Sequence, residues 1–327
     1  MSDSILVSAG SFSSPLGFDT RLSTLERLYI RLLGAPILGL RIRARYLLPV
    51  LCQLQGRPLG KIVDAGSGRG LFTFQLARLF PGAEVIGMDI NADQVARNNA
   101  ISTQLGYRNC RFQLQDVTAL DENAGYDLIL STDNLEHLED DRRQCDVFFQ
   151  ALRPGGLILI HTPHETRKVF GLRRQNFMGI EGHVRPGYTV PGLSAMLEDA
   201  GFSVERGFHS YGSFETLAND ISYLITRGHE RRKAIYALAF PFLLLLSQVG
   251  RLTTPREGSG VVILAQRPTE TGWRRTPSGS RSGPFGRIPS TTSRHRRDRA
   301  GGSGGSPSAG ARGPHRGAQG RLSKTGT

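Results

Sequence analysis

The run Val63-Asp64-Ala65-Gly66-Ser67-Gly68-Arg69-Gly70 carries the densest chemical signal in the chain. Its three glycines at alternate positions, between an apolar run and an amphipathic stretch, permit a tight turn and the close approach of a ligand to backbone. Asp64 stands before the glycines, at the end of that first apolar run. Asp89 closes the second run, 19 residues after Gly70, the distance at which a carboxylate accepts from both hydroxyls of a ribose. Asp116 follows the third run, where it could take the exocyclic amine of an adenine. Nicotinamide and flavin enzymes use related glycine-rich turns, and it is the three acidic positions that sharpen the signal.

A second constellation is Asp133-Asn134-Leu135-Glu136-His137. On a helical turn Asp133, Glu136 and His137 fall at i, i+3 and i+4, on one face. Two carboxylates and an imidazole so placed could hold Mg²⁺ or another divalent ion, with His161 or His164 completing the shell. The expected reading is that Glu136 and His137 support the loop without a metal, and a bound divalent ion is the alternative.

The elements that must position these residues follow from periodicity. Short apolar runs at Lys61–Asp64, Glu84–Asp89, Arg111–Leu114, Tyr126–Leu130 and Gly156–His161 alternate with amphipathic pieces such as Leu71–Phe80, Ala92–Leu105 and Arg142–Leu152. This alternation calls for a parallel sheet covered by helices on both faces. Right-handed crossovers then gather the strand C-termini on one edge, where ligands bind. A helix from about Val190 to Ala200 and strands at Ser203–Phe208 and Gly260–Gln266 complete the domain. The domain is expected over residues 57–266.

Helices precede it over residues 23–56. Ser23 and Glu26 have capping-box spacing, and Leu25, Leu28, Tyr29, Leu32 and Leu33 share one helical face, expected to pack on the following domain. Gly34-Ala35-Pro36 breaks this helix. Residues 1–22 carry no periodicity and read as a loose leader. An insertion at 213–255 contains the most apolar stretch, 234–246, interrupted by Pro241 and preceded by Arg231-Arg232-Lys233. As a helix it is too short to span a bilayer core of about 30 Å. It is expected to pack on the sheet; the other reading is peripheral contact with a membrane surface through residues 231–250.

Residues 267–327 are rich in Gly, Ser, Pro and Arg, and read as a disordered basic tail. They hold 13 Lys/Arg against 2 Asp/Glu, so most of the net charge of +13 belongs to them. The remaining 266 residues hold 28 basic and 26 acidic side chains. A near-neutral body gives no support for a nucleic-acid groove, and no specific nucleic acid is expected as a partner. Three widely spaced cysteines, Cys52, Cys110 and Cys145, make neither a CxxC zinc site nor a disulfide scaffold. No secretory signal is apparent in the N-terminal residues, and a reducing, cytoplasmic setting is expected.

Taken in order, these segments resemble the class I S-adenosylmethionine-dependent methyltransferases, in particular small-molecule members of the type 11-like group. VDAGSGRG is similar to their glycine motif, VIGMDIN to the acidic end of their second strand, and QDV at Gln115–Val117 to their adenine turn. YDLILSTDNLEHL and LRPGGLILIHTP are similar to their fourth and fifth strands, and HVRPGY followed by AGF recurs in small-molecule members. The resemblance spans about residues 40–266, with Ser67 where the family often has Cys.

It implies a Rossmann-like, seven-stranded, mostly parallel sheet with its last strand antiparallel and inserted beside the sixth, plus helical additions at both ends. It also implies S-adenosyl-L-methionine as cofactor. Gly66, Ser67, Gly68 and Gly70 would surround its methionine part, with Asp64 orienting the amino group. Asp89 and Ile90 would hold the ribose, Asp116 and Val117 the adenine, and Ser131 and Thr132 would face the sulfonium. The sulfonium is itself a good leaving group, so the protein must align an acceptor, exclude water and, for a hydroxyl, supply a base. His161, His164 and His183 are the candidates.

No DPPY or NPPY tetrad and no Pro-Cys nucleophile is present, which counts against amide N-methylation and cytosine C5 methylation. The expected activity is methyl transfer to a small or lipid-like acceptor, at a hydroxyl. A catalytically silent cofactor-binding scaffold and an NAD-type oxidoreductase are the alternatives, the latter lacking a Tyr-x-x-x-Lys pair.

Overall fold

The first, second and third apolar runs become parallel strands β1 (Lys61–Ala65), β2 (Glu84–Asp89) and β3 (Cys110–Leu114). The fourth and fifth become β4 (Tyr126–Thr132) and β5 (Leu152–Pro163). A short antiparallel pair follows, β6 (Thr166–Val169) with β7 (Arg173–Asn176), then β8 (Ser203–Ser210) and β9 (Gly260–Gln266). The computed structural model describes residues 14–121, 123, 125–169, 173–176, 182–226, 233–250, 255 and 257–269. The main sheet has seven strands in the order β3-β2-β1-β4-β5-β9-β8, with β9 antiparallel to both of its neighbours.

Successive residues of a strand point to opposite faces, and here both faces are covered. Ile62, Leu128, Leu130, Leu157 and Leu159 enter a core with helices α2 (Leu38–Gln53), α3 (Leu71–Leu79) and α4 (Ala92–Gln104). Val63, Ile129, Ile158 and Ile160 enter another with α5 (Asp141–Ala151) and α6 (Val190–Asp199). That is why the central strands read as continuous apolar runs rather than alternating ones.

Helix α2 also packs against α7 (Ser213–Thr226) and α8 (Lys233–Val249), and α1 (Thr24–Leu33) precedes it in the chain. Leu38, Ile42, Tyr211, Tyr236, Phe240 and Leu243 form a third apolar cluster among α2, α7 and α8. Ser23 caps α1, with both hydrogen bonds of the capping box present, and Gly34 closes that helix at φ 78°. Among the described residues no helix is long and apolar enough to cross a membrane.

Four expectations change. The leader does not extend to residue 22: Ser14–Phe18 forms a 3₁₀ turn, Leu16 is buried, and Asp19 pairs with Arg97 at 2.7 Å. Residues 1–13 lie outside the described residues. The leucine stripe of α1 faces outward, with Leu25, Leu28, Leu32 and Leu33 exposed, because Ile30 rather than the stripe supplies the buried contact.

Pro241 does not interrupt the apolar segment. A proline inside a helix leaves the carbonyl four residues back without its donor, and Tyr29 Oη donates to that carbonyl, Ala237 O, at 2.8 Å. Finally, the folded part extends past residue 267. Arg267 Nη1 donates to the carbonyls of Phe149, Gln150 and Leu152, which anchors the exit from β9. Residues 270–327 of the expected tail lie outside the described residues.

Candidate cofactor and acceptor site

The glycine turn leaves β1 and enters α3. Gly66, Gly68 and Gly70 have φ of 79°, 50° and 73°, a region that side chains disfavour. A Cβ on Gly70 would come within 2.7 Å of the Phe112 ring, so the turn and the sheet are fitted to each other. Gly66 N and Ser67 N donate to Met88 O at 2.9 and 2.7 Å, and Gly68 N donates to Asp89 Oδ2 at 2.7 Å. Asp89 Oδ1 accepts from Asn91 N at 2.8 Å. Both oxygens keep a second lone pair, so Asp89 is held rigidly at the β2 end and remains able to accept from hydroxyls.

Several buried polar atoms around this turn lack partners. Asp64 Oδ2 accepts from Thr73 Oγ1 at 2.6 Å, but Oδ1 has none. The same holds for Ser67 Oγ, Ser131 Oγ and Asn134 Nδ2, and Asn134 packs directly on Gly66. Unsatisfied buried groups of this kind cost about 1–3 kcal/mol each and are rare without a purpose. Burial pushes the Asp64 carboxyl up to about 7, with Asp89 adding to the effect. An ammonium group beside Oδ1 would supply the missing donor and charge. These residues fit the amino-acid end of S-adenosylmethionine.

Farther along the edge, Ile90 is exposed just after β2. Asp116 caps the Val117–Ala119 turn, Oδ1 accepting from Thr118 N at 2.9 Å, and is itself exposed. The Val117 side chain lies in the core, which leaves only its backbone to face a ligand. Ser131 and Thr132 end β4, in register with Ala65 and His161.

A second constellation lies beyond them. Asp133 adopts φ 47°, uncommon for a residue with a side chain, and its carboxylate ion-pairs with Arg43 from α2. Its Oδ1 accepts from His161 Nδ1 at 2.7 Å. A carboxylate only accepts, so His161 carries its proton on Nδ1, and Nε2 accepts from Ser210 Oγ at 2.9 Å. Burial lowers the His161 pKa against the pull of Asp133. Burial alone would raise the Asp133 carboxyl, but Arg43 and His161 outweigh it and hold it low.

The three candidate bases are separated by the fold. His161 is only 2% exposed and has both nitrogens engaged. His164 bonds to Thr166 and stands beside His209 in a neighbouring cavity of about 320 Å³. His183 lines a cavity of about 200 Å³ together with Arg43, Asp133, His161, Tyr211 and Asp220. Burial and the edge-on ring of His137 lower the His183 pKa.

The alternative metal constellation also changes membership. Asp133 turns toward Arg43 and His161, while Glu136, His137 and His183 offer ligand atoms within 4.8 Å of one another. Glu136 Oε2 accepts from Thr162 at 3.0 Å and Oε1 has no partner; burial and Asp133 push this carboxyl up to about 8.

Sequence reasoning missed Arg43, Asn134, Ser210, Tyr211 and the Arg167–Asp220 pair. Arg43 lies in α2, within the helices expected over residues 23–56. Tyr211, whose Oη donates to Gly39 O at 2.7 Å, lies about 170 residues from its partner. No local pattern marks either.

With this geometry in place, the similarities of the chain take on meaning. Residues 57–185 match the model of a methyltransferase domain family. The trans-aconitate 2-methyltransferase of Deinococcus radiodurans is 33% identical over 152 residues, 45% of this chain and 56% of that protein. The mitochondrial ubiquinone biosynthesis O-methyltransferase of Rattus norvegicus is 31% identical over 167 residues, 46% of this chain and 47% of that protein. The chain thus spans about half the length of these curated relatives. The crystal structure of the cyclase SpnF shares the fold, with a TM-score of 0.50 and 16% identity over 70% of this chain and 82% of that one. Residues 57–185 thus match a methyltransferase domain model, within a chain that has a Rossmann-like seven-stranded sheet.

Proposed function

We propose that the protein transfers a methyl group from S-adenosylmethionine to a hydroxyl of a small or lipid-like acceptor. The observation that carries this reading is the ring of unpartnered buried atoms, Asp64 Oδ1, Ser67 Oγ, Ser131 Oγ and Asn134 Nδ2, around a glycine turn whose Asp89 is preset for a ribose. Bound there, the cofactor would supply a methyl group already activated on a sulfonium. Asp89 would fix the ribose, Asp116 and the Val117 backbone the adenine, and Asp64 the amino group.

The acceptor enters the cavity between α2, α7 and the ends of β4, β5 and β8. His183 takes the hydroxyl proton, because its ring is neutral, lines the cavity and stands outside the Asp133–His161–Ser210 chain. That chain positions Asp133 and Arg43 rather than meeting the acceptor. The assembled wall excludes water from the reacting atoms. Glu136, His137 and His183 are where a divalent ion would sit, and we assign it no part in the transfer, since Asp133 is committed to Arg43 and His161.

The lipid-like choice rests on the outer face of α8. Ile235, Leu238, Phe242, Leu245 and Val249 recur at helical spacing and are exposed, Leu238 and Phe242 at 75% and 74%. The helix carries no carboxylate, and Arg231-Arg232-Lys233 lead into it. Such a face suits peripheral contact with an anionic membrane surface. A cytoplasmic location, where three unpaired cysteines remain reduced, completes the reading.

Calorimetric titration of the full chain with S-adenosylhomocysteine should give micromolar binding that Asp89→Ala abolishes. Labelled-methyl assays should then find transfer to hydroxyl acceptors, with EDTA-treated protein equally active and His183→Ala losing about 10²-fold in kcat. A folded protein that binds without any turnover would favour the scaffold alternative. Stabilisation by NAD in place of S-adenosylhomocysteine would favour the oxidoreductase.

A further inference from the structure

A larger cavity, of about 710 Å³, lies apart from the His183 cavity, beneath α1 and beside the glycine turn. Its walls are mostly apolar: Leu16, Leu22, Tyr29 and Ile30 from the N-terminal segment, Ile37 and Leu38 at the start of α2, and Tyr236 and Ala237 from α8. Its size falls within the range of small-molecule clefts. Two guanidinium groups interrupt this lining, and both come from the Rossmann-like half. Arg69 stands in the glycine turn between Gly68 and Gly70, and Arg97 projects from α4.

Their electrostatics are unequal. Arg97 is paired with Asp19, which also takes Arg21. Arg69 pairs with no carboxylate among the described residues. Burial lowers the Arg97 pKa, Asp19 opposes that, and the nearby Arg69 adds to the lowering, as two cations held close together must. The side of the cavity formed by α1 and α8 is different: Glu26 and Lys233 stand there and offset each other. On the glycine-turn side of the cavity, Arg69 and Arg97 therefore face a single carboxylate, Asp19, among the described residues.

We infer that this cavity binds one amphiphile with an anionic head and an apolar chain, the head against Arg69 and Arg97 and the chain along Ile30, Ile37, Leu38 and Ala237. The shared chemistry of the head is an oxyanion able to accept from guanidinium groups, a carboxylate or a phosphate. The site is separate from the acceptor cavity, so it stands whether or not the protein proves to be a methyltransferase. Leu25, which lines the cavity yet is 77% exposed, marks its mouth on the outer leucine face of α1.

Calorimetry on the full chain with dodecyl phosphate, below its micelle concentration, tests the inference. One equivalent should bind. Arg69→Gln should weaken binding at least tenfold, and Ala237→Trp, which fills the apolar part, should abolish it. Leu25→Asp, at an exposed position that places no demand on folding, should weaken it as well. Dodecanol should bind the wild type no better than dodecyl phosphate binds Arg69→Gln, and inorganic phosphate alone should not bind detectably.

Unchanged far-UV circular dichroism and a cooperative thermal unfolding transition in each variant report that the fold is intact. Undiminished binding of dodecyl phosphate by Arg69→Gln or by Leu25→Asp would overturn the proposal, as would several equivalents per chain. Equal binding of inorganic phosphate would reduce the site to an anion contact and overturn it too.

Discussion

The glycine-turn cradle and the proposed acceptor wall differ most in how far apart along the chain their parts lie. Asp64, the three glycines, Asp89, Asp116 and Ser131 follow one another through three strand-to-helix connections, and the bonds that set them are largely backbone bonds. The acceptor wall joins Arg43 from α2, Asp133 after β4, His161 from β5, His183 from the connector and Tyr211 after β8. Its bonds are side chain to side chain, as in the Arg43–Asp133–His161–Ser210 chain. A backbone-built site tolerates few sequences, whereas a side-chain wall can be rebuilt for each acceptor. One scaffold can therefore serve many acceptors.

The largest effect should come from a single methyl group in the cradle. Gly70→Ala puts a Cβ at positive φ and against the Phe112 ring, so we expect a loss of about 2–4 kcal/mol in urea unfolding together with loss of S-adenosylhomocysteine binding. Normal stability and binding would show that the turn yields more easily than its packing implies.

Arg43→Ala probes the other region. It leaves the half-buried Asp133 carboxylate with His161 alone, and should cost about 2–3 kcal/mol, less than a fully buried pair. Cofactor binding should hardly change. A loss of affinity comparable to the loss of stability would erase the distinction between the two regions.

A smaller effect, about tenfold, concerns pH. The folded Asp64 pKa of about 7 lies above its ordinary 3.8, so the folded protein holds the extra proton between those values. Stability from this group is present at low pH and falls as pH rises from about 4 to about 7, where the buried carboxyl ionises. The ligand ammonium prefers the ionised form, so S-adenosylhomocysteine affinity should rise between pH 6 and 8. In Asp64→Asn that rise should vanish; an unchanged slope would assign it to another group.

The smallest effect lies in the lid. Tyr29→Phe removes the donor to Ala237 O and should cost about 1 kcal/mol, read as a lower Tm, with cofactor affinity unaltered.

The sequence made the cradle legible because its constraints are local. Glycines at alternate positions and carboxylates at strand ends are demanded by backbone geometry, and a parallel sheet covered on both faces follows from the alternation of elements. The capping box at Ser23 was readable for the same reason. The leucine stripe of α1 was misread, because periodicity reports that a face is apolar but not whether protein covers it. Pro241 was misread because the group that relieves it, Tyr29, lies far away in the chain.

By itself, then, the sequence determined the alternating strands and helices, the glycine turn and the acidic residues around it, while the seven-stranded sheet was what the family resemblance implied. Only the tertiary structure decided that His161 and His183 share one cavity while His164 lines another, that Asp133 answers to Arg43, and that Arg69, which pairs with no carboxylate among the described residues, borders a mostly apolar cavity. Those outcomes depend on where distant segments come to rest, and side-chain contacts across such distances leave no periodic trace in a sequence.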